Sequence, residues 1–133
     1  MKKILFVILI ALILTACGGR ASGSDTALTV APVPVEYAGL TNPLGAEAAT
    51  AGAEIFKTNC QACHGPQGLG DGPAGAALDP RPKNLAVLAP TVGDDFLFWR
   101  VSAGKDGTAM IGWTGVLTDE QIWQVVAFIR TLQ

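Results

Sequence analysis

Cys60-Gln61-Ala62-Cys63-His64 is the stretch on which the rest of this 133-residue sequence turns. Two cysteines three positions apart with a histidine directly after them form the attachment pattern of a c-type haem. The spacing has a chemical reason. Each thiol can form a thioether bond to one vinyl group of the macrocycle, and the adjacent imidazole then lies where it can ligate the iron. Three other readings compete. A thioredoxin-like redox pair needs a βαβ setting, which the flanking residues do not supply. A structural zinc site needs a fourth ligand, and the only other cysteine, Cys17, is accounted for by the N-terminal signal. Chance must fix three rare residues within five positions.

The flanking sequence adds three features. An alanine-rich stretch, Ala46 to Asn59, precedes the motif and reads as a helix, with Glu47 near its start and a Glu54/Lys57 pair one turn apart. Downstream, Gly107-Thr108-Ala109-Met110 places a lone methionine in a loop, with Trp113 close behind. The chain closes with Asp119 to Leu132, in which Ile122, Val125, Val126, Ile129 and Leu132 recur at helical spacing. Thr118-Asp119-Glu120-Gln121 is a capping-box pattern opening that helix, and Arg130 complements its C-terminal dipole. Between the loops, Asp94 to Ala103 reads as a helix with two acids in its first turn and Gly104 as its stop.

Over its last two-thirds the sequence resembles the class I cytochromes c. The resemblance implies an all-α fold in which the N- and C-terminal helices cross around one covalently bound haem c, with glycine-rich loops wrapping it. It implies thioether links at Cys60 and Cys63 and axial ligation of the haem iron by His64 and Met110. In that family a glycine and an aromatic residue, here Gly52 and Phe56, form the crossing, facing positions that correspond to Val125 and Phe128. A proline carbonyl in the region Pro80 to Leu85 is expected to accept the proximal imidazole's N–H, an outer contact that fixes the ligand's tautomer. Arg81 and Lys83 are candidates for the haem propionates. The family usually has proline directly after the methionine, whereas this chain has Ile111.

The residues narrow the distal ligand independently. Once an N-terminal signal is removed, Met110 is the only methionine and His64 the only histidine. Ligation by two histidines of one chain is therefore excluded. The sixth position holds Met110, a weaker ligand such as lysine or water, or nothing.

Met1-Lys2-Lys3 is a basic leader, and Ile4 to Leu14 is an apolar run of eleven residues, too short to span a bilayer as a helix. Leu14-Thr15-Ala16-Cys17 resembles the lipobox of bacterial lipoproteins, which implies cleavage before Cys17 and lipid on its sulfur. Ordinary secretory cleavage leaves Cys17 as an odd free thiol, and the lipoprotein reading explains it. The expected organisation is a signal peptide over 1–16, a lipid-anchored flexible linker over 17–43 and a haem domain over 44–133. The linker is inferred from Gly18-Gly19-Arg20-Ala21-Ser22-Gly23-Ser24 and from the prolines at 32 and 34, which favour extended backbone, with packing of Val33 to Leu40 as the alternative. Processing leaves seven basic residues against eleven acidic ones, about -4, with the basic residues scattered singly, so no nucleic-acid partner is expected.

Gly70-Asp71-Gly72-Pro73-Ala74-Gly75 formally fits the dinucleotide fingerprint, but no strand precedes it and Pro73 removes an N–H from the would-be phosphate cradle. It reads instead as loop around one haem edge. No catalytic acid, base or nucleophile stands out, so the expected role is electron transfer and not enzymatic catalysis. The partners expected are redox proteins at the extracytoplasmic face, or a membrane oxidoreductase such as an alternative complex III or terminal oxidase of which the chain is a fixed subunit. A haem enzyme or ligand sensor with an open sixth site is the reading from a different class.

Overall fold

A glycine sets the geometry of the helical body. In the computed structural model, which describes residues 30–132, α1 (Ala48–Asn59) crosses α5 (Asp119–Ile129) with Gly52 at the contact. A β-carbon on Gly52 would collide with the Gln124 carbonyl and press on Phe128, so only glycine allows this approach. One turn later Phe56 fills the interior, its ring 5.0 Å from that of Phe128. Phe56, Ile122, Val125 and Val126 are the largest fully buried side chains, so the crossing is also the centre of the core.

The remaining elements hang from this crossing. Cys60 follows α1 and leads into the single turn α2 (Gln61–His64), and the glycine loop beyond it carries a 3-10 turn at Gly75–Ala77. A short α3 (Leu85–Leu88), not foreseen in the sequence, runs into another 3-10 turn at Ala89–Thr91 and then into α4 (Asp94–Ala103). Asn84 caps α3 by accepting from the Val87 N–H at 3.2 Å. The expected bounds of α4 hold, with Gly104 at φ 75 ending it. The capping box also forms: Thr118 Oγ1 accepts from Gln121 N–H at 3.2 Å, while Gln121 Oε1 accepts from Thr118 N–H at 2.9 Å. Arg130 does more than meet a helix dipole. It pairs with Asp94 at 2.7 Å and donates to the Ala89 and Val92 carbonyls, tying the end of α5 to the start of α4.

Among the described residues the only β pairing is an isolated bridge between Thr114 and Leu117. No described helix is long and apolar enough to cross a membrane. The signal peptide, the lipidation position Cys17 and the glycine-serine stretch lie outside the described residues.

Residues 30–43, expected as the end of a flexible linker, lie against the helical body instead. Val30, Val33, Tyr37 and Leu44 pack on the core. The extended run expected from the prolines stops at Pro34, whose carbonyl accepts from the N–H groups of Tyr37 and Ala38 at 2.9 and 3.0 Å, closing a turn. Apolar side chains spaced along the segment reward this seating, in line with the alternative of packing over Val33 to Leu40.

Candidate functional site

The two cysteines and the histidine owe their arrangement to α1 and α2 running on from each other. Cys60 N–H donates to the Phe56 carbonyl at 2.8 Å, and the N–H groups of Cys63 and His64 both donate to the Cys60 carbonyl, at 3.1 and 2.9 Å. One helical turn thus brings Cys60, Cys63 and His64 to the same side. The glycine loop folds back onto them: Gly70 N–H donates to the His64 carbonyl at 2.8 Å and Ala74 N–H to the Ala62 carbonyl at 2.9 Å. Gly72 and Gly75 lie so close beneath the motif that a β-carbon on either would strike the backbone of Ala62 or Cys63.

All three side chains open into one cavity of about 550 Å³. Phe56, Leu85, Leu97, Val125 and Ile129 give it apolar walls from four helices. Met110 reaches the same cavity from the loop that follows α4. That loop is fixed by its backbone: Lys105 N–H donates to the Met110 carbonyl at 2.9 Å, and Met110 N–H donates to Thr108 Oγ1 at 3.2 Å. Thr108 Oγ1 in turn donates to the Lys105 carbonyl at 2.7 Å. Further on, Trp113 and Thr114 N–H both donate to the Ser102 carbonyl, at 3.0 and 3.1 Å. Ile111, where the resemblance led one to expect proline, lines the cavity and is 64% exposed.

Burial tunes the titratable groups. It pushes the Cys60 thiol up to about 11, with the neighbouring Cys63 adding to the effect. A thiol so held is the opposite of a reactive low-pKa cysteine, which argues against a redox pair of the thioredoxin kind. Burial lowers the His64 pKa, and the Lys83 backbone carbonyl partly opposes that shift. His64 Nδ1 is buried and makes no fully formed hydrogen bond.

The residues suit a haem on three counts. The cavity is large and apolar, both thiols and the imidazole open onto it beside one another, and the thioether of Met110 enters it from a separate loop. A protein-only metal site is a poorer match, since among the described residues no three His, Cys, Asp or Glu side chains are placed so that they could hold a metal ion together.

Two features of the site were missed in the sequence. Val30 and Ala31 line the cavity from the N-terminal segment. Arg100 lines it too, with its guanidinium 3.7 Å from the Trp99 ring and 5.3 Å from the Phe96 ring centroid. Burial lowers its pKa, and Asp106 opposes the shift. The spacing of Phe96 and Arg100, one turn apart in α4, was the available signal for that stack. Among the described residues, Arg81, Lys83 and Lys105 are the other cations on the cavity, and no acidic residue lines it.

Comparisons with known proteins agree with this geometry. Residues 47–129 match the family model described as cytochrome c oxidase, cbb3-type, subunit III, and residues 1–17 match a prokaryotic membrane lipoprotein lipid attachment site. The chain is 35% identical over 97 residues to the cbb3-type cytochrome c oxidase subunit FixPc of Rhizobium leguminosarum bv. viciae, covering 71% of this chain and only 31% of that relative. It is also 35% identical over 78 residues to cytochrome c6 of Synechococcus elongatus, covering 59% of this chain and 83% of the relative. Among solved structures, a chain of the reducing HAO-like protein complex of Kuenenia stuttgartiensis superposes with a TM-score of 0.60 at 24% identity. That match covers 71% of this chain and 47% of the other, and it speaks for the fold alone.

Proposed function

The chain belongs to the class I cytochrome c family, and we propose that it is a single-electron carrier holding one covalent haem c between His64 and Met110, tethered by lipid on Cys17 at the extracytoplasmic face of a bacterial membrane. The observation that carries this reading is the convergence of Cys60, Cys63, His64 and Met110 on one apolar cavity of about 550 Å³. Haem, when bound, supplies the redox centre. The protein positions and tunes it. Cys60 and Cys63 are the thiols for the two thioether links. His64 keeps a neutral imidazole because burial lowers its pKa, and neutral imidazole is the ligating form. With Nδ1 buried in the protein, Nε2 is the nitrogen left for the iron. The Met110 thioether favours ferrous iron and so raises the reduction potential. Arg81, Lys83 and Arg100 supply positive charge for the haem propionates. The organisation proposed is a signal peptide over 1–16, an anchor from Cys17 and a haem domain whose packed part begins near Val30.

The test is spectroscopic. Holoprotein purified from membranes should show the absorption of a haem with two thioether links, and its ferric form the weak red band of a thioether–iron bond. Absence of that band, with rapid and tight carbon monoxide binding to the ferrous protein, would sink Met110 ligation and favour an open-site enzyme or sensor.

A second reading, a fixed haem subunit of a larger membrane oxidoreductase, draws on the family model's description as an oxidase subunit and on the FixPc relative. A native gel of mildly solubilised membranes, stained for haem, separates the two. A small, lone band supports the mobile carrier, and co-migration with a large assembly supports the subunit.

A further inference from the structure

The N-terminal segment is seated on the helical body by three long-range hydrogen bonds. Gly39 N–H donates to Asp95 Oδ2 at 3.0 Å, Asn42 N–H to Asp94 Oδ2 at 3.1 Å, and the Asn42 side-chain amide to the Trp123 carbonyl at 2.9 Å. Between them the Tyr37 ring lies 6.2 Å from Phe98, which is itself stacked on Trp123 at 4.1 Å. The segment thus crosses from the start of α1, over α4 and α5, to the cavity, where Val30 and Ala31 form part of the wall. Residues 18–29, between the lipidation position and this segment, lie outside the described residues.

We propose that residues 30–44 are a strap that brings the membrane anchor to the mouth of the haem cavity, so that the mouth serves redox partners embedded in the same bilayer with docking surfaces low over the headgroups. The proposal rests on the lipid-anchored haem reading above. Chain length decides it. Whatever conformation they take, twelve residues span at most about 43 Å, whereas the 26 residues of an unseated linker would reach about 94 Å. A domain of about 100 residues, with a radius of gyration near 13 Å, is roughly 33 Å across. Seating therefore cuts the reach from nearly three body diameters to little more than one, and it fixes the point of attachment at the mouth. Charge acts in the same direction. The mature chain is acidic, yet the exposed Arg81, Lys83 and Lys105 line the cavity, so the mouth is the face an anionic bilayer repels least.

The experiment uses the lipidated holoprotein in vesicles of phosphatidylethanolamine and phosphatidylglycerol carrying a trace of headgroup-labelled fluorescent lipid. Energy transfer to the haem quenches the label and reports the distance between haem and membrane. The parent protein should quench strongly. A variant with about 14 flexible residues inserted after Ser24 should lose most of that quenching, and Tyr37→Ala/Asn42→Ala should lose part of it with an unchanged haem spectrum. The partner is tested with native membranes, whose oxidation of the added ferrous protein should slow about threefold on insertion, as effective concentration falls with tether length. A chain that lacks haem or fails to float with the vesicles overturns the underlying reading and the strap with it. A floating, haem-bearing parent that quenches no better than the insertion variant overturns the strap alone. An unchanged oxidation rate overturns the membrane-embedded partner. If the double variant does not fold, the insertion variant, which leaves the body untouched, still decides.

Discussion

The two sides of the cavity are built on different principles. On one side, Cys60, Cys63 and His64 lie within five positions, on one helical turn, and the glycine loop packs back onto their own backbone. On the other side, Met110 stands 46 positions from His64 in an irregular loop, held by accepting from Lys105 N–H and donating to Thr108 Oγ1, and by the close approach of Gly104. The geometry of Cys60, Cys63 and His64 is local, so it is set once that turn forms. The geometry at Met110 depends on a few bonds of about 1 kcal/mol each, so it is the side where ligand strength can be tuned by single substitutions.

The contrast breaks most completely at the motif. Replacing Cys60 and Cys63 together with serine should abolish covalent haem, read as complete loss of haem staining on a denaturing gel. Met110→Ala should leave that staining intact. The ferrous variant should bind carbon monoxide rapidly, and its potential should fall as the thioether is lost. Gly104→Ala is expected to act on the Met110 side alone. It forces a β-carbon into φ 75 and to within 2.5 Å of the Met110 carbonyl, and should destabilise the fold by about 1–2 kcal/mol in denaturant titrations. Its thioether band should weaken while the haem stays attached. The smallest effect is expected at Thr108→Val, which removes the hydroxyl bridging Lys105 and Met110 at a cost of about 1 kcal/mol. A faster off-rate of the methionine, seen as quicker cyanide binding to ferric protein, would sharpen the contrast, and Thr108→Ser should restore the parent behaviour. Unchanged cyanide kinetics in Thr108→Val would show that the loop is held without this bridge.

Legibility in the sequence follows the same division. Gly52 and Phe56 were readable because the family resemblance places them at the helix crossing, and the nearby Gln124 carbonyl gives the physical reason for glycine there. The ends of α4 and the cap of α5 were readable because Gly104 and the Thr118/Gln121 pair act within one turn of their own positions. Arg130 showed its helix position, but not its partners Asp94, Ala89 and Val92, which lie 36 to 41 positions away.

By itself, then, the sequence determined the chemistry that is local along the chain: the paired cysteines with their histidine, the bounds of α4 and the cap of α5, and the placing of Met110 in a loop. Tertiary structure alone decided what depends on residues far apart meeting in space: the cavity that gathers those groups, the Arg100 stack, and the seating of residues 30–44 through contacts 52 to 81 positions long. The physical reason is that spacing and capping act through bonds and single helical turns, which composition displays. A strap is held only when distant apolar and polar groups find partners whose summed energy exceeds the entropy of ordering it.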